Sequence, residues 1–227
     1  MPTFEQLFTE HVGAALGRQL ALADVLGDRD WHLDLGSGRA TFGRDLTFSV
    51  QLLGTEATED QTWLWAWANE ESALPPALLR VAGELRALGE RQRIELLAAP
   101  SFPTVAITGH EIAMVASGLA GGLPYYRGPY EGGAVFFVLE NGPPAIWGPY
   151  GTERVVTVLM QAISGFALDH RAMSRAFLGT QHFRIQESAD RWTAQAGDGR
   201  QLEIAFDGLG RIANVTALAG AHLPGGS

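Results

Sequence analysis

The chain of 227 residues contains no cysteine and no lysine, so all 16 of its basic residues are arginines. Without cysteine it forms no disulfide, no zinc–thiolate site and no thiol nucleophile. The absence of lysine, together with abundant Ala, Leu and Gly, is typical of a GC-rich bacterial genome. The 25 acidic residues give a net charge of −9, which disfavours nucleic acid and anionic membrane surfaces as partners.

Long apolar runs are also missing from the sequence. A membrane-spanning helix needs roughly 20 consecutive apolar residues, and residues 1–30 lack the basic start and apolar run of a signal peptide. We therefore expect a cytoplasmic protein with no membrane contact. Hydrophobic and charged contents of 46% and 18% are globular values, and the length suits one large domain or two small ones.

Half of the six tryptophans lie in one stretch, Gln61–Asn69, which reads Q-T-W-L-W-A-W-A-N. Trp63, Trp65 and Trp67 are spaced two residues apart, so in a strand their indoles share one face. We predict that this face is part of the structural core. The alternative is an exposed aromatic platform that stacks a sugar, a base or a cation. The apolar alternation of residues 46–52 favours the core.

The residue pattern of the first half of the chain predicts helices on either side of a β-meander. Thr3 and Gln6 form a capping box, and Gly27 is a C-terminal stop, so a helix is predicted between them. Short strands follow within residues 31–52 and continue into the tryptophan stretch. A second helix, predicted between Ser72 and Gly89, should cover the apolar face of the sheet. Residues 92–97 are predicted as a short strand and residues 100–103 as a loop.

The residue pattern of the second half of the chain predicts further helices and a second set of strands. A capping box at Thr108 and Glu111 begins a short helix, and residues 135–140 form a buried strand. Helices are predicted after Thr152 and Asp169, and strands at 182–186, 192–195, 202–206 and 212–217. The predicted fold is α+β: an antiparallel β-meander covered by helices, then a helix pair and a second antiparallel meander. We expect a domain at 1–147, a unit at 148–220 that can pack as one with it, and a tail at 221–227.

Three motifs carry a resemblance to a known family. The T-W-L-W-A-W-A-N stretch, V-Q-L-L-G-T-E before it and Y-Y-R-G-P-Y-E-G-G-A after it resemble a bacterial, mostly actinobacterial family of unknown function. The resemblance covers roughly residues 4–140. The resemblance implies a soluble α+β bacterial protein, and it implies no activity for this chain because the family has none that could be assigned to it.

The best candidate for a binding site is the segment from Tyr125 to Glu131, which we predict to be a glycine-rich loop. Loops carry binding residues more often than scaffolds do, and Arg127 offers a planar fork for a carboxylate or phosphate. The alternative is a rigid turn whose tyrosines cover a sheet edge, with Arg127 paired to an acidic neighbour. The candidate ligand-binding residues are Tyr125, Tyr126, Arg127, Tyr130, Glu131 and His110.

No pattern of catalytic or metal-binding residues stands out. His110, His170 and His182 lack a spacing such as H-E-x-x-H, and Ser117 and Ser164 lack the G-x-S-x-G elbow. We therefore expect no metal, no cofactor and no catalytic residue. The favoured function is a non-catalytic cytosolic binding protein, immunity-type or regulatory, for a protein or a small ligand. The alternative is a small-molecule hydrolase with a cleft around Tyr126, Arg127 and Glu131, and with His110 as its base.

Overall fold

The computed structural model describes residues 1–218, and the predicted tail at 221–227 lies outside the described residues. Helices and two antiparallel sheets make up this part of the chain, which confirms the predicted α+β class. The helices are α1 Phe4–Leu26, α2 Arg80–Gln92, α3 Glu95–Ala98, α4 Gly109–Leu119, α5 Thr152–Gly165 and α6 His170–Thr180. The first sheet contains β1 Trp31–Asp34, β2 Arg39–Phe42, β3 Leu46–Ala57, β4 Thr62–Trp65, β5 Ser101–Pro103, β6 Tyr125–Tyr130 and β7 Gly133–Glu140. The second contains β8 Phe183–Glu187, β9 Arg191–Ala196, β10 Gln201–Phe206 and β11 Ile212–Leu218.

The first sheet is built around the long strand β3. Its first residues pair with β2, its last residues pair with β4, and β7 runs antiparallel beside residues 49–57. Strands β1, β5 and β6 extend the sheet beyond β2, β4 and β7 respectively. The register with β7 shifts between Leu52 and Gly54, so Leu53 is the extra residue of a bulge. A bulge bends its strand and increases the twist, and the sheet curls.

The two faces of the curled sheet are covered differently. On one face, which we call the helix face, Trp63, Trp65, Phe136 and Val138 are fully buried. On the opposite face, the hairpin face, the β1–β2 hairpin folds over β6 and β7, and the Trp31 ring lies 6.3 Å from that of Phe137. Neighbouring residues along one strand therefore meet different surroundings.

The tryptophan stretch is a strand only as far as Trp65, which corrects the predicted strand over Gln61–Asn69. Trp63 and Trp65 lie edge to face at 5.3 Å, and the Trp65 indole N–H donates to the Leu96 carbonyl at 3.0 Å. Trp67 lies in a single 3-10 turn, Ala66–Ala68, where it is half-buried. The Arg86 guanidinium stacks 4.4 Å from the centre of its ring.

Two short elements differ from the prediction. Residues 92–97 do not form a strand, because α2 runs to Gln92 and Arg93 turns the chain in the left-handed region at φ 57° so that α3 follows at once. Residues 101–103 are not a loop, since they pair with β4 as the edge strand β5. At residues 101–103 pairing with a strand distant in sequence, rather than the local residue pattern, decides the structure. The helix predicted after Ser72 begins later, at Arg80.

Helix α1 connects the two halves of the chain. Both predicted capping boxes, at Thr3 and Thr108, are formed, and α1 packs against α4, α5 and α6. Close approach requires glycine on α1, because a Cβ at Gly13 would lie 2.7 Å from Phe177 and one at Gly17 would lie 2.7 Å from the Tyr150 ring. The division of the chain at residue 147 stays a prediction.

Among residues 1–218, none of the helices has the length and apolarity needed to cross a bilayer.

Replacing Trp65 by alanine should destabilise the protein far more than replacing Trp67. Trp65 is fully buried and hydrogen-bonded, and truncating such a residue costs roughly 3–5 kcal/mol of unfolding free energy. Trp67 is half-buried in a one-turn helix, so Trp67→Ala should cost less than half as much. Guanidinium unfolding of both variants measures the difference, and a Trp65→Ala protein as stable as the parent would contradict it.

Candidate functional site

The segment from Tyr125 to Tyr130 is a strand, β6, and not the predicted loop. Gly128 and Pro129 are typical of turns, but the structure explains why a strand contains them at these positions. A Cβ at Gly128 would lie 2.4 Å from the Trp31 ring, so only glycine lets the hairpin close. Within the described residues β6 pairs only with β7, and proline is tolerated on such an edge strand because it has no N–H to donate.

The alternation of β6 separates the six predicted site residues. Tyr125 and Arg127 point to the helix face, whereas Tyr126 and Tyr130 point to the hairpin face. Glu131 lies in the exposed turn between β6 and β7. The structure therefore brings His110, Tyr125 and Arg127 together and places the other three elsewhere.

His110 and Tyr125 form a hydrogen-bonded pair. His110 lies in the first turn of α4, where much of the residue is exposed, and its Nδ1 lies 2.9 Å from the hydroxyl oxygen of the buried Tyr125. Burial raises the pKa of Tyr125, so its hydroxyl stays protonated. Partial burial of the ring and the nearby Arg127 cation lower the pKa of His110, and Glu56 opposes this effect.

Glu56, on β3, joins this cluster and was not among the predicted site residues. Its Oε1 accepts a hydrogen bond of 3.0 Å from the N–H of Gly109, the first residue of α4, where the helix dipole favours a negative charge. Its Oε2 lies 3.9 Å from Nε of Arg127. Gly109 is needed for this approach, since a Cβ there would lie 2.7 Å from the Phe136 ring.

A cleft of about 390 Å³ opens beside Arg127. It is lined by Glu56, Ala57, Thr58, Gln61, Thr104, Val105 and Arg127. Gln61 has a φ of 48°, a left-handed conformation that costs a non-glycine residue about 1–2 kcal/mol, and Val105 is 78% exposed at the rim. His110 does not line this cleft.

Arg127 is the group in this cleft with unused binding capacity. Its side chain is 35% exposed, and within residues 1–218 its guanidinium makes no hydrogen bond. One carboxylate oxygen of Glu56 lies 3.9 Å from its Nε, and the other oxygen of that carboxylate accepts a hydrogen bond from the first N–H of α4. The geometry therefore offers a guanidinium fork beside hydroxyl and amide side chains.

On the hairpin face, Tyr126 and Tyr130 have different surroundings. The Tyr126 ring packs within 6 Å of the rings of Trp31, Phe42 and Phe137, which is a structural role. Tyr130 is 49% exposed and lines a separate apolar cavity.

The described residues contain no cluster of three or more potential metal ligands. Of the two serines considered above, Ser117 is buried and donates its hydroxyl to the Leu123 carbonyl at 2.6 Å. The hydroxyl that His110 reaches is that of Tyr125, and a buried phenol with a raised pKa is a poor nucleophile.

In a comparison with protein families, residues 5–142 match DUF6882, a family of unknown function. The match includes all of the first sheet and the whole Glu56–His110–Arg127 cluster. No curated protein and no solved structure matches the chain. This agrees with the expected resemblance to a family of unknown function over residues 4–140.

Two substitutions should move the pKa of His110 in opposite directions. Arg127→Gln removes a neighbouring cation and should raise this pKa, while Glu56→Gln removes an anion and should lower it further. Because the folded-state pKa lies below the unfolded value, His110 should reduce stability as the pH falls below about 6.5, where only the unfolded chain binds the proton readily. NMR titration of the ring measures both shifts, and shifts of the same sign would contradict the cluster.

Proposed function

We propose that this chain, which belongs to DUF6882, a family of unknown function, is a non-catalytic protein that binds a small carboxylate-bearing ligand in the cleft beside Arg127. The observation that carries the proposal is the half-buried Arg127 guanidinium, which makes no hydrogen bond within the described residues. A guanidinium binds a carboxylate through two parallel N–H···O bonds, and partial burial strengthens such bonds relative to water.

The charges around the cleft favour a single carboxylate over a phosphate. Glu56 lies 3.9 Å from Arg127, and Glu59 and Asp60 precede Gln61 in the β3–β4 turn. A dianion would meet more repulsion from these groups than a monoanion does. Thr58, Gln61 and Thr104 supply hydroxyl and amide groups for the rest of the ligand, and Val105 supplies an apolar rim.

The contacts of His110 favour binding over the hydrolase alternative. A general base must reach a nucleophile or the substrate space, but His110 contacts the buried Tyr125 hydroxyl and does not line the cleft. A hydrolase would lose its ester-cleaving activity in a His110→Gln variant. A binding protein would show no such activity in either form.

A small-ligand site is consistent with the regulatory type of binding protein. In an immunity-type protein, the occupant would be a protein partner that presents a carboxylate to Arg127. The net charge of −9 would steer such a protein toward a basic partner. The size of the cleft, about 390 Å³, lies at the lower end of the range for small-molecule pockets, which favours the small ligand.

Benzoate should bind the parent protein saturably, and Arg127→Lys should weaken its binding about tenfold or more, since lysine keeps the charge but loses the two-pronged geometry. Glu56→Gln is the matched control: it keeps an acceptor for the Gly109 N–H, removes the competing negative charge and should strengthen binding. Calorimetry at low salt, with inorganic phosphate as the comparison anion, measures these effects. Equal benzoate affinity in the parent and in Arg127→Gln would rule out this site.

A further inference from the structure

A second and separate cavity lies on the hairpin face of the sheet. Its volume is about 320 Å³, and it lies between the β1 strand, the segment 66–74 and the inner surface of the curled sheet. Its lining is mainly aliphatic: Leu33, Leu35, Leu52, Gly54, Thr55, Leu64, Ala66, Asn69, Ser72, Leu74, Tyr130 and Val135.

The strand register explains why this space is open. Leu64, Thr55, Val135 and Gly128 lie in one row across β4, β3, β7 and β6. Gly128 has no side chain, and its place is taken by the Trp31 ring at the start of β1. Two and four residues after Trp31, Leu33 and Leu35 extend over the same row and form the roof.

The burial pattern shows unfilled apolar surface. On the helix face, Trp63, Trp65 and Phe136 are fully buried. Their immediate neighbours on the hairpin face, Leu64 and Val135, are only half-buried, although they lie inside the curl of the sheet. Apolar surface left in contact with water costs roughly 25 cal/mol per Å² relative to burial, so an occupant that covers these side chains is stabilising.

We propose that this cavity is a binding site for an uncharged aromatic molecule of about two fused rings that carries one hydrogen-bonding group. A cavity of roughly 150 Å³ lined by similar side chains holds benzene, and this one is about twice that size. No charged side chain lines it, and an unpaired charge is costly to bury. The Thr55 hydroxyl, in the middle of the floor, is the partner for the polar group.

The cavity is open to solvent. Leu35 and Tyr130, which both line it, are 38% and 49% exposed. Its volume is too small for a helix, which is 10–12 Å across with its side chains, and this selects a small molecule as the occupant.

The cavity is independent of the Arg127 cleft, because the sheet separates the two. Thr55 faces the cavity and the next residue, Glu56, faces the cleft. Each site therefore supplies a control for the other: a substitution at Arg127 should leave the cavity unchanged.

The proposal is tested with 2-naphthol, which is uncharged at neutral pH, and with 2-naphthalenesulfonate as its charged counterpart. We expect saturable one-to-one binding of 2-naphthol by calorimetry and no binding of the sulfonate. Val135→Phe fills the floor and should lower the affinity more than about tenfold, whereas Thr55→Val removes one hydrogen bond and should lower it about two- to tenfold. Arg127→Gln should not change it.

Absence of 2-naphthol binding by the parent protein would overturn the proposal, as would unchanged affinity in a folded Val135→Phe variant. If that variant does not fold, NMR of the parent decides the question. Nuclear Overhauser effects from 2-naphthol to the methyl groups of Leu33, Leu64 and Val135 would support the site. The same effects to methyl groups outside the cavity, in place of these, would exclude it.

Discussion

The contact between the Trp63 indole and the backbone of Gly54 determines the arrangement of the first sheet. At Gly54 three strands meet, since it lies opposite Trp65 on β4 and Phe136 on β7. A Cβ at this position would lie 2.4 Å from the Leu64 carbonyl oxygen and 2.7 Å from the Trp63 ring, so no other residue fits without moving a strand or the indole. The bulge at Leu53 comes directly before this point, and Thr55 and Glu56 come directly after it. The packing at Gly54 therefore positions both the bend of the sheet and the residues that face the two cavities.

Most elements of the fold could be predicted from local patterns, because their signals lie in consecutive residues. Capping boxes mark α1 and α4, and apolar alternation marks β3 and the second meander. Strand β6 could not be predicted in this way. Its Gly128 and Pro129 are typical of a turn, but Gly128 is required by the Trp31 ring, nearly 100 residues earlier in the chain. A contact between residues so far apart in the chain cannot be predicted from the residues next to Gly128.

The candidate site could be predicted only in part for the same reason. Arg127, Tyr125 and His110 stand out by residue type, and the structure brings them together. Three other residues stand out equally by type but lie elsewhere. Successive side chains of a strand point to opposite faces, so Tyr126 and Tyr130 lie on the hairpin face, and Glu131 lies in the turn after the strand. Glu56 belongs to a segment that is polar in sequence, and its role depends on the register between β3 and β7 and on where α4 begins. Neither can be deduced from spacing.

Electrostatics explains why the two faces should select different ligands. The helix face holds a partly buried carboxylate because the first N–H of α4 donates to Glu56, and a helix N-terminus stabilises negative charge. Glu56 in turn partly compensates the Arg127 cation without occupying its fork, since 3.9 Å is too long for a hydrogen bond. On the hairpin face, the cavity is roofed by a β-hairpin and lined without any charged side chain. An ion entering there would lose its hydration without a counter-charge, whereas an uncharged aromatic molecule would lose little. The selectivity that we propose thus follows from which element covers each face: a helix end beside the cleft, and a hairpin above the cavity.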